Sequence, residues 1–483
     1  MKSELKNFFL DKQGRETSSL RSMEEVHSSI TIPKTGGIIR RFLCFAGPAL
    51  LVSVGYMDPG NWGTDLAGGA AYGYKLMWVI LASSIMAIIL QTLCARLGIA
   101  TGHDLAQACR TCYKKPANIV LYILCELAII ACDLAEVVGS AVALNLLFHI
   151  PIIAGVVITG LDVLILLAFM QMGFRKIEAV ILALVSIIGV CFLVEVILAQ
   201  PHWGNVLMGT FVPSLPDRQA LYVSLGILGA TVMPHNLYLH SAVVHTRDIE
   251  QTPQGKRQAI NYNTWDTIIA LSLAFFVNAA ILVLAGAVFH TTGHTDVQDL
   301  GEAHRLLAPL LGAPIAATAF AVALLASGQS STITGTLAGQ IVMEGFLHIR
   351  IKPWLRRIIS RLLAIIPAII MIYISGGNNT VGILVLSQVV LSLQLPFAIF
   401  PLLMFTSNPR LMGEFVNPLW LKITGYTICV IIAVLNIYLL ITTISYLWVI
   451  GFIVIGAVFS IWVMYFYHEK DEDKNTIRTQ SAT

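Results

Sequence analysis

Charged residues are scarce in this chain of 483 residues. Asp, Glu, Lys and Arg make up only 12% of it, whereas soluble globular domains carry about 25%. Hydrophobic residues account for 57%, and the mean hydropathy is +0.78. This balance excludes an ordinary soluble protein. The net charge of +3 is small and the basic residues are scattered, so we expect no nucleic-acid partner.

Signatures of catalysis and of secretion are also missing. The polar loops contain no nucleophile and base pair, P-loop or cofactor fingerprint, so we expect neither an enzyme nor a permanently bound cofactor. The first 40 residues lack the apolar core of a cleavable signal peptide, which leaves insertion to the first membrane helix. Cys109 and Cys112 form a single C-x-x-C, which is weak evidence for zinc, so unpaired thiols are expected.

Long apolar runs, in contrast, recur along almost the whole chain. A helix needs roughly 17–25 apolar residues to cross a bilayer. Runs of this length lie at about 42–72, 76–98, 117–148, 151–171, 177–199, 219–245, 264–289, 306–343, 358–375, 380–404, 419–442 and 445–467. We therefore predict an all-α polytopic membrane protein with about twelve transmembrane helices in a lipid bilayer.

The distribution of basic residues predicts the orientation of these helices. When the runs are threaded alternately through the membrane, 27 of the 30 Lys and Arg residues fall on the side that carries the N-terminus. Only Lys75, Arg218 and Arg305 fall on the other side. The positive-inside rule then predicts that both termini are cytoplasmic. Short tails without an organelle signal favour a bacterial plasma membrane.

Two of the apolar runs are interrupted by a polar cluster that contains proline. The first run holds Asp58-Pro59-Gly60-Asn61, and the sixth holds Met233-Pro234-His235-Asn236. Proline removes a backbone donor and clashes with the preceding turn, so each run is expected to break into two half-helices. Such paired interruptions indicate a substrate site between inverted repeats of a transporter. Ordinary proline kinks are the alternative.

The position of the two breaks, five runs apart, predicts how the chain is divided. An odd number of helices in each half makes the two halves opposite in orientation, as in a five-plus-five inverted repeat. The predicted divisions are a cytoplasmic tail at 1–41, a first repeat at 42–199, a second repeat at 200–404, two extra helices at 405–467 and a cytoplasmic tail at 468–483.

The residues at the two breaks are suitable metal ligands. Asp58 is a charged group near the bilayer centre, where an ionised side chain is costly and is expected to have a function or a partner. Asn61 offers a neutral oxygen, Met233 a thioether, and the unwound turn frees the carbonyl of Ala230. A set that includes sulfur favours transition metals over Ca²⁺ and Mg²⁺. Protons would compete for Asp58. Plain apolar filling is the alternative role for Met233.

Three acidic residues in the third run suggest a route for protons. Glu126, Asp133 and Glu136 are spaced by seven and three residues, so they lie on roughly one helical face. Arg361 is the expected cationic partner. His235 adjoins Met233 and titrates near neutrality when unperturbed. A buried ion pair that only holds the helices together is the alternative reading of the acidic face.

At these motifs the sequence resembles the Nramp, or divalent-metal-transporter, family. The similar stretches are DPGN at 58–61, MPHNLYLHSA at 233–242, GQSSTITGTLAGQIVMEGF at 328–346 and SQVVLSLQLPFA at 387–398. The resemblance implies a leucine-transporter-like fold, with metal ligands at the positions of Asp58, Asn61, Ala230 and Met233. It adds Gln388 as a ligand in some states, and it implies that the acidic and basic network carries protons.

We therefore expect a secondary active transporter that imports Mn²⁺ and Fe²⁺, with Co²⁺ and Cd²⁺ as further substrates of similar ligand preference, together with protons and by alternating access. A magnesium-transporting branch of the family lacks the methionine, so Met233 favours transition metals. The alternatives are a symporter of the same fold for Mg²⁺ or a small organic amine. An amine needs only one charge, whereas a metal needs several convergent ligands. A channel is a third reading, less suited to two broken helices.

Overall fold

The structure is a computed structural model that describes Ser22 and residues 26–32, 37–160, 173–349, 353–374 and 379–443. These residues are helical except for loops and one isolated bridge. The helices are α1 Ile38–Phe45, α2 Pro48–Ser53, α3 Pro59–Tyr72, α4 Met77–Thr101, α5 Leu105–Cys112, α6 Lys115–Phe148, α7 Ile152–Thr159, α8 Phe174–Ala199, α9 Trp203–Phe211, α10 Arg218–Val232, α11 Pro234–Val243, α12 Pro253–Ala285, α13 Leu300–Leu311, α14 Pro314–Leu347, α15 Pro353–Ile374, α16 Thr380–Thr406, α17 Pro409–Met412 and α18 Leu419–Thr443. The all-α prediction is confirmed.

The described part of the chain contains nine helical segments long and apolar enough to span a membrane. Three predicted parts lie wholly or largely outside the described residues: the run 445–467, most of the run 151–171, and the two tails apart from a few N-terminal residues. The predicted run 306–343 is wrong at its start, because α13 and α14 are separate helices. Gly312 ends α13 in a left-handed conformation, and Pro314 opens α14.

Both predicted breaks are present, and proline produces each of them. In the first run, α2 continues through a 3₁₀ turn to Met57, Asp58 is extended with ψ 166°, and Pro59 begins α3. In the sixth run, α10 ends at Val232, Met233 has φ 25°, and Pro234 begins α11. Proline lacks the N–H that would continue the helical ladder, so each chain restarts as a new half-helix.

The broken segment Arg218–Thr246 lies at the centre of the bundle. An apolar stretch of 18 residues in this segment is 94% buried, whereas the corresponding stretches of Phe174–Ala199 and Leu355–Ile374 are 28% and 33% buried. The central segment also has a mean hydropathy of only 1.2, against 2.9 for Phe174–Ala199. A helix surrounded by protein can carry polar groups that a helix facing lipid cannot.

Four of the basic residues counted for orientation are not loop charges. Arg247, Arg356, Arg357 and Arg361 are buried, and each forms an ion pair with a carboxylate. Tertiary packing places them inside the bundle, so they weaken the count behind the predicted orientation. The remaining bias keeps its sign, and the cytoplasmic position of both termini stays a prediction.

Candidate metal centre

Acceptors from both breaks converge on the side chain of Asn61. The Asn61 side-chain Nδ2 lies 2.6 Å from Oδ1 of Asp58, 3.3 Å from the Gly55 carbonyl oxygen and 3.3 Å from the Ala230 carbonyl oxygen. These four residues are buried. Three oxygens that converge on one neutral hydrogen-bond donor form the kind of environment that also suits a cation.

The amide of Asn61 is oriented differently from our expectation. Its nitrogen faces Asp58, while its Oδ1 accepts a hydrogen bond of 3.3 Å from Nδ2 of Asn278 on α12. The amide nitrogen and oxygen exchange places when the end of the side chain rotates, and their assignment follows the surrounding hydrogen bonds. With a cation between the oxygens, the rotated amide would present Oδ1 to it, and Asn278 would lose its bond to that oxygen.

The second break brings a thioether to the same region. Met233 is fully buried, and its Sδ accepts a 3.5 Å contact from Nδ2 of Asn236. A Cβ atom added to Gly55 would lie 3.3 Å from the same sulfur, so the sulfur packs directly on the first broken helix. Because Gly55 and Ala230 both offer carbonyls to Asn61, the two breaks meet at one place.

Gln388 on α16 lies beside the first break. Its side chain packs on Gly60 so closely that a Cβ atom there would overlap the amide. Its Oε1 has no hydrogen-bond partner among the described residues, whereas its Nε2 donates to Oγ of Ser387. A buried amide oxygen without a partner, next to the break, is a suitable additional ligand.

Cys132 is a neighbour of Asp58 that the sequence analysis missed. Its thiol lies 3.8 Å from Oδ2 of Asp58, and its side chain packs in a small cluster with Met233 and Leu391. The Cys132 thiol therefore lies beside the carboxylate and in the same cluster as the Met233 side chain. Cys132 directly precedes Asp133 in sequence, but only the approach of α6 to the start of α3 places its thiol beside Asp58. Gly139 permits this approach, because a Cβ atom there would overlap Pro59.

Asp133 and Glu136 pair mainly with an arginine that the sequence analysis did not single out. Arg357 on α15 is 2.6 Å from Oδ1 of Asp133 and 3.1 Å from Oε2 of Glu136. The predicted partner, Arg361, lies 3.3 Å from Oε2 of Glu136 and donates to the backbone oxygen of Asp133. Arg361 also donates to Oγ1 of Thr332, which bonds Glu136 in turn. The expected single partner was incomplete.

The third carboxylate, Glu126, has its own arginine. Arg356 on α15 contacts both carboxylate oxygens at 3.0 and 3.1 Å. The side chain of Glu126 is 20% exposed, whereas those of Asp133 and Glu136 are 1% exposed. The acidic face of α6 therefore runs from a partly exposed pair to a fully buried one, and Glu136 also interacts electrostatically with Asp58.

Two further buried polar side chains lie near this network. His235 follows Met233 by two residues, interacts electrostatically with Asp133, and has an Nδ1 that finds no hydrogen-bond partner within the described ranges. Asp65 was missed. It follows Asp58 by seven residues, interacts electrostatically with it, and leaves Oδ2 unbonded in the described part of the chain. The seven-residue spacing was the available signal.

The ligand set does not resemble a resident metal site. In the described residues, no group of three or more His, Cys, Asp and Glu side chains could hold a metal ion. The candidate centre instead combines one carboxylate with neutral oxygen and sulfur donors. Moderate binding is suitable for a transported ion, which must leave as well as bind.

A family model describes the same region of the chain. The model for natural resistance-associated macrophage protein-like sequences matches residues 49–442. The chain belongs to the Nramp family. Its members are transporters and not enzymes, which confirms the expectation drawn from the absence of catalytic signatures.

Curated relatives match this Nramp chain over nearly its whole length. A protein of Nostoc sp. called divalent metal cation transporter MntH is 56% identical over 422 residues, which cover 87% of this chain and 95% of the relative. A protein of the same name from Listeria monocytogenes is 52% identical over 434 residues, covering 89% of this chain and 97% of the relative.

Solved structures agree with the fold. The manganese transporter of Eremococcus coleocola is 39% identical and superposes with a TM-score of 0.84, covering 92% of this Nramp chain and 99% of that protein. Mhp1, a nucleobase-cation-symport family transporter, superposes with a TM-score of 0.54 at 16% identity over 89% of this chain and 96% of that protein. The second likeness concerns the fold alone.

Proposed function

We propose that this Nramp protein imports divalent transition metals, with Mn²⁺ as the first candidate, and couples their movement to protons. One observation carries the proposal. The two helix breaks bring the carboxylate of Asp58, the amide of Asn61, the carbonyl of Ala230 and the thioether of Met233 to one buried place. Oxygen with sulfur selects polarisable first-row metals over Mg²⁺ and Ca²⁺. The names of the MntH relatives and of the Eremococcus transporter support this choice.

The buried network beside the metal centre supports coupling to protons. Its three carboxylates face three arginines, so its charges cancel when all are ionised. A proton added to Glu136 or Asp133 leaves an excess positive charge next to Asp58. A divalent cation at Asp58 has the same sign and would repel that proton. Arrival of the metal at Asp58 would therefore favour loss of that proton, and release of the proton toward the cytoplasm would move both cations in the same direction.

The direction of transport follows from the proposed orientation. With both termini in the cytoplasm of a bacterium, an inward-negative potential favours import of cations by about 2.3 kcal/mol per charge for each 100 mV. A same-fold symporter for an organic amine remains the second candidate, because Asp58 could bind an ammonium group. The convergent Ala230 carbonyl and the Met233 thioether favour the metal.

Uptake by proteoliposomes tests the proposed function. Mn²⁺, Mg²⁺ and a small amine are offered in parallel while internal pH is recorded. We expect Mn²⁺ uptake with acidification of the interior, and we expect Asp58→Asn to abolish both, because the amide removes the only carboxylate of the centre. The matched control is Asp296→Asn, an exposed loop carboxylate. Uptake of the amine without Mn²⁺, or normal Mn²⁺ affinity in Asp58→Asn, would refute the assignment.

A further inference from the structure

A short N-terminal segment is attached to the helix ends on its own side of the bundle. Residues 26–32, together with Ser22, form what we call the strap. Three backbone hydrogen bonds attach it to the turn after α11: Ser28 N–H donates to His245 O at 2.9 Å, Ile30 N–H to Thr246 O at 3.0 Å, and Asp248 N–H to Ile30 O at 3.0 Å. The last two form the bridge between Ile30 and Arg247.

The strap has a second attachment on α5. Ser22 is buried, and its Oγ accepts a 3.2 Å hydrogen bond from Nε2 of Gln107, which closes the capping box of that helix with Asp104. The ring of His27 bonds the Ser22 carbonyl at 3.1 Å and packs against the ring of His245, with ring centres 5.1 Å apart and the planes tilted by 42°. The strap therefore joins two separate elements, α5 and the end of the broken sixth segment.

Apolar contacts reinforce the polar ones. Val26 and Ile30 pack on the main core, and Ile32 packs on a separate cluster that contains Phe45 of α1 and Val244. If the strap had only exposed polar contacts, water could easily replace its hydrogen bonds to the bundle. These three side chains make the docked conformation more favourable by removing apolar surface from water.

The strap lies beside Arg247, whose side chain bonds the junction of α1 and α2. Arg247 is 2% exposed; its guanidinium bonds the Ala46 carbonyl at 2.7 Å, the Phe45 carbonyl at 3.2 Å and Glu178 at 2.7 Å. These carbonyls lie at the junction of α1 and α2. Because the strap bonds Thr246 and Asp248, the residues on either side of Arg247, it restrains the backbone from which this guanidinium extends.

We propose that the strap is an intramolecular latch that holds this end of the transport path closed, and that it must release before α1 and α2 move away from Arg247. The segment leads directly into α1, since only residues 33–36 separate it from Gly37 at the helix start. Movement of α1 therefore acts on the strap through a short tether. The proposal rests on alternating access, and on the cytoplasmic position of the strap, both part of the proposed function.

Proline substitution tests the latch without reference to metal. Ile30→Pro removes the N–H that donates to Thr246 and leaves that carbonyl unpaired. We expect a cysteine reporter on α2, Ser53→Cys, to react about fivefold faster or more with a membrane-impermeant thiol reagent from the cytoplasmic side, as loss of one buried hydrogen bond predicts. Thr31→Pro is the matched control, because the Thr31 N–H donates to no backbone carbonyl in the described ranges.

Cross-linking tests the opposite direction. In His27→Cys/His245→Cys, a short bifunctional methanethiosulfonate, which forms a disulfide with each thiol, should hold the strap docked and reduce Mn²⁺ uptake at least about fivefold, with recovery after reduction; a monofunctional methanethiosulfonate should not. Unchanged reporter labelling in Ile30→Pro, or full uptake by the cross-linked protein, would overturn the proposal. If no variant takes up Mn²⁺ but the labelling responds as expected, the latch is supported and the proposed substrate is wrong.

Discussion

At the scale of single residues, the candidate centre depends on the chemistry of its donor atoms. Asp58 supplies the only charge among the proposed ligands, and neutral groups from both breaks complete the set. A buried carboxylate surrounded by neutral donors binds cations in general. The sulfur of Met233 is therefore the atom that is expected to decide which cations are accepted.

Replacement of Met233 by Ala should change selectivity more than it changes Mn²⁺ affinity. A thioether gains little from hard Ca²⁺ or Mg²⁺, and the space left by its removal admits water oxygen. We expect the preference for Mn²⁺ over these ions to fall about tenfold, or about 1.4 kcal/mol. Mn²⁺ uptake measured against millimolar-range Ca²⁺ or Mg²⁺, with Cd²⁺ as a soft probe, provides the test. Unaltered exclusion of Ca²⁺ and Mg²⁺ would mean that Met233 is apolar filling.

Cys132 provides a separate test of the second sulfur. Its thiol lies beside Oδ2 of Asp58, so Cys132→Ser replaces a soft neighbour by a hard one without a large change of volume. We expect weaker Cd²⁺ binding, by about threefold to tenfold, and little change for Mn²⁺. Cys94→Ser is the control, since that thiol is equally buried but outside the cluster with Met233. Equal Cd²⁺ affinity in all three proteins would exclude Cys132 from the metal's surroundings.

At the scale of secondary-structure elements, function depends on the close approach of α6 to both neighbouring helices. Its acidic face meets the arginines of α15, while Gly139, one turn after Glu136, meets Pro59 at the start of α3. The same helix thus carries the proposed proton groups and contacts the first break. A shift of α6 would disturb both at once.

Addition of a side chain at Gly139 should separate these elements. The new Cβ atom of Gly139→Ala would overlap Pro59, and both residues belong to packed helices that cannot move far. Overpacking of this kind costs about 1–3 kcal/mol, so Mn²⁺ uptake should fall by about tenfold or more. Gly189→Ala on α8 is the matched control, because nothing lies within 4 Å of its added Cβ atom. Equal uptake by the two variants would show that the approach is not tight.

Neutralisation of Glu136 should separate proton coupling from metal binding. Glu136→Gln keeps the shape and some hydrogen bonds of the side chain but removes its titration. We expect Mn²⁺ binding within about twofold of the parent, while acidification linked to uptake falls at least about tenfold, because the amide cannot take up or release a proton. The exposed Glu250→Gln serves as control. Retained acidification in Glu136→Gln would identify the pair with Arg357 as structural only.

At the scale of the whole molecule, the exposed surface of the bundle is divided between lipid and water. Helices such as α8 and α15 present many large apolar side chains outward, whereas the broken central segment is almost completely enclosed. The loop after α12 and the strap lie at opposite ends of the spanning segments. The predicted orientation assigns the first to the outside and the second to the cytoplasm.

Thiol labelling in intact cells tests this orientation. Thr295→Cys and Ser29→Cys each introduce a cysteine at an exposed position. We expect an impermeant reagent to label Thr295→Cys in intact cells, but Ser29→Cys only after permeabilisation, with the parent protein as background. The reverse pattern would invert the topology, and would reverse the proposed direction of transport as well.

Local sequence determined the elements and the place of the site. Long apolar runs require spanning helices. Pro59 and Pro234 lack the backbone N–H that a continuous helix needs, whatever surrounds them, so both breaks and the donor atoms beside them were predictable. Pairing across the bundle was not. Arg356, Arg357 and Arg361 are equivalent as basic residues near one helix end, and only the packing of α15 on α6 assigns each to its carboxylate. Two other contacts also join segments that are far apart in sequence: the contact of Cys132 with Asp58, and the attachment of the strap beside Arg247. The packing of the whole bundle decides whether such segments meet.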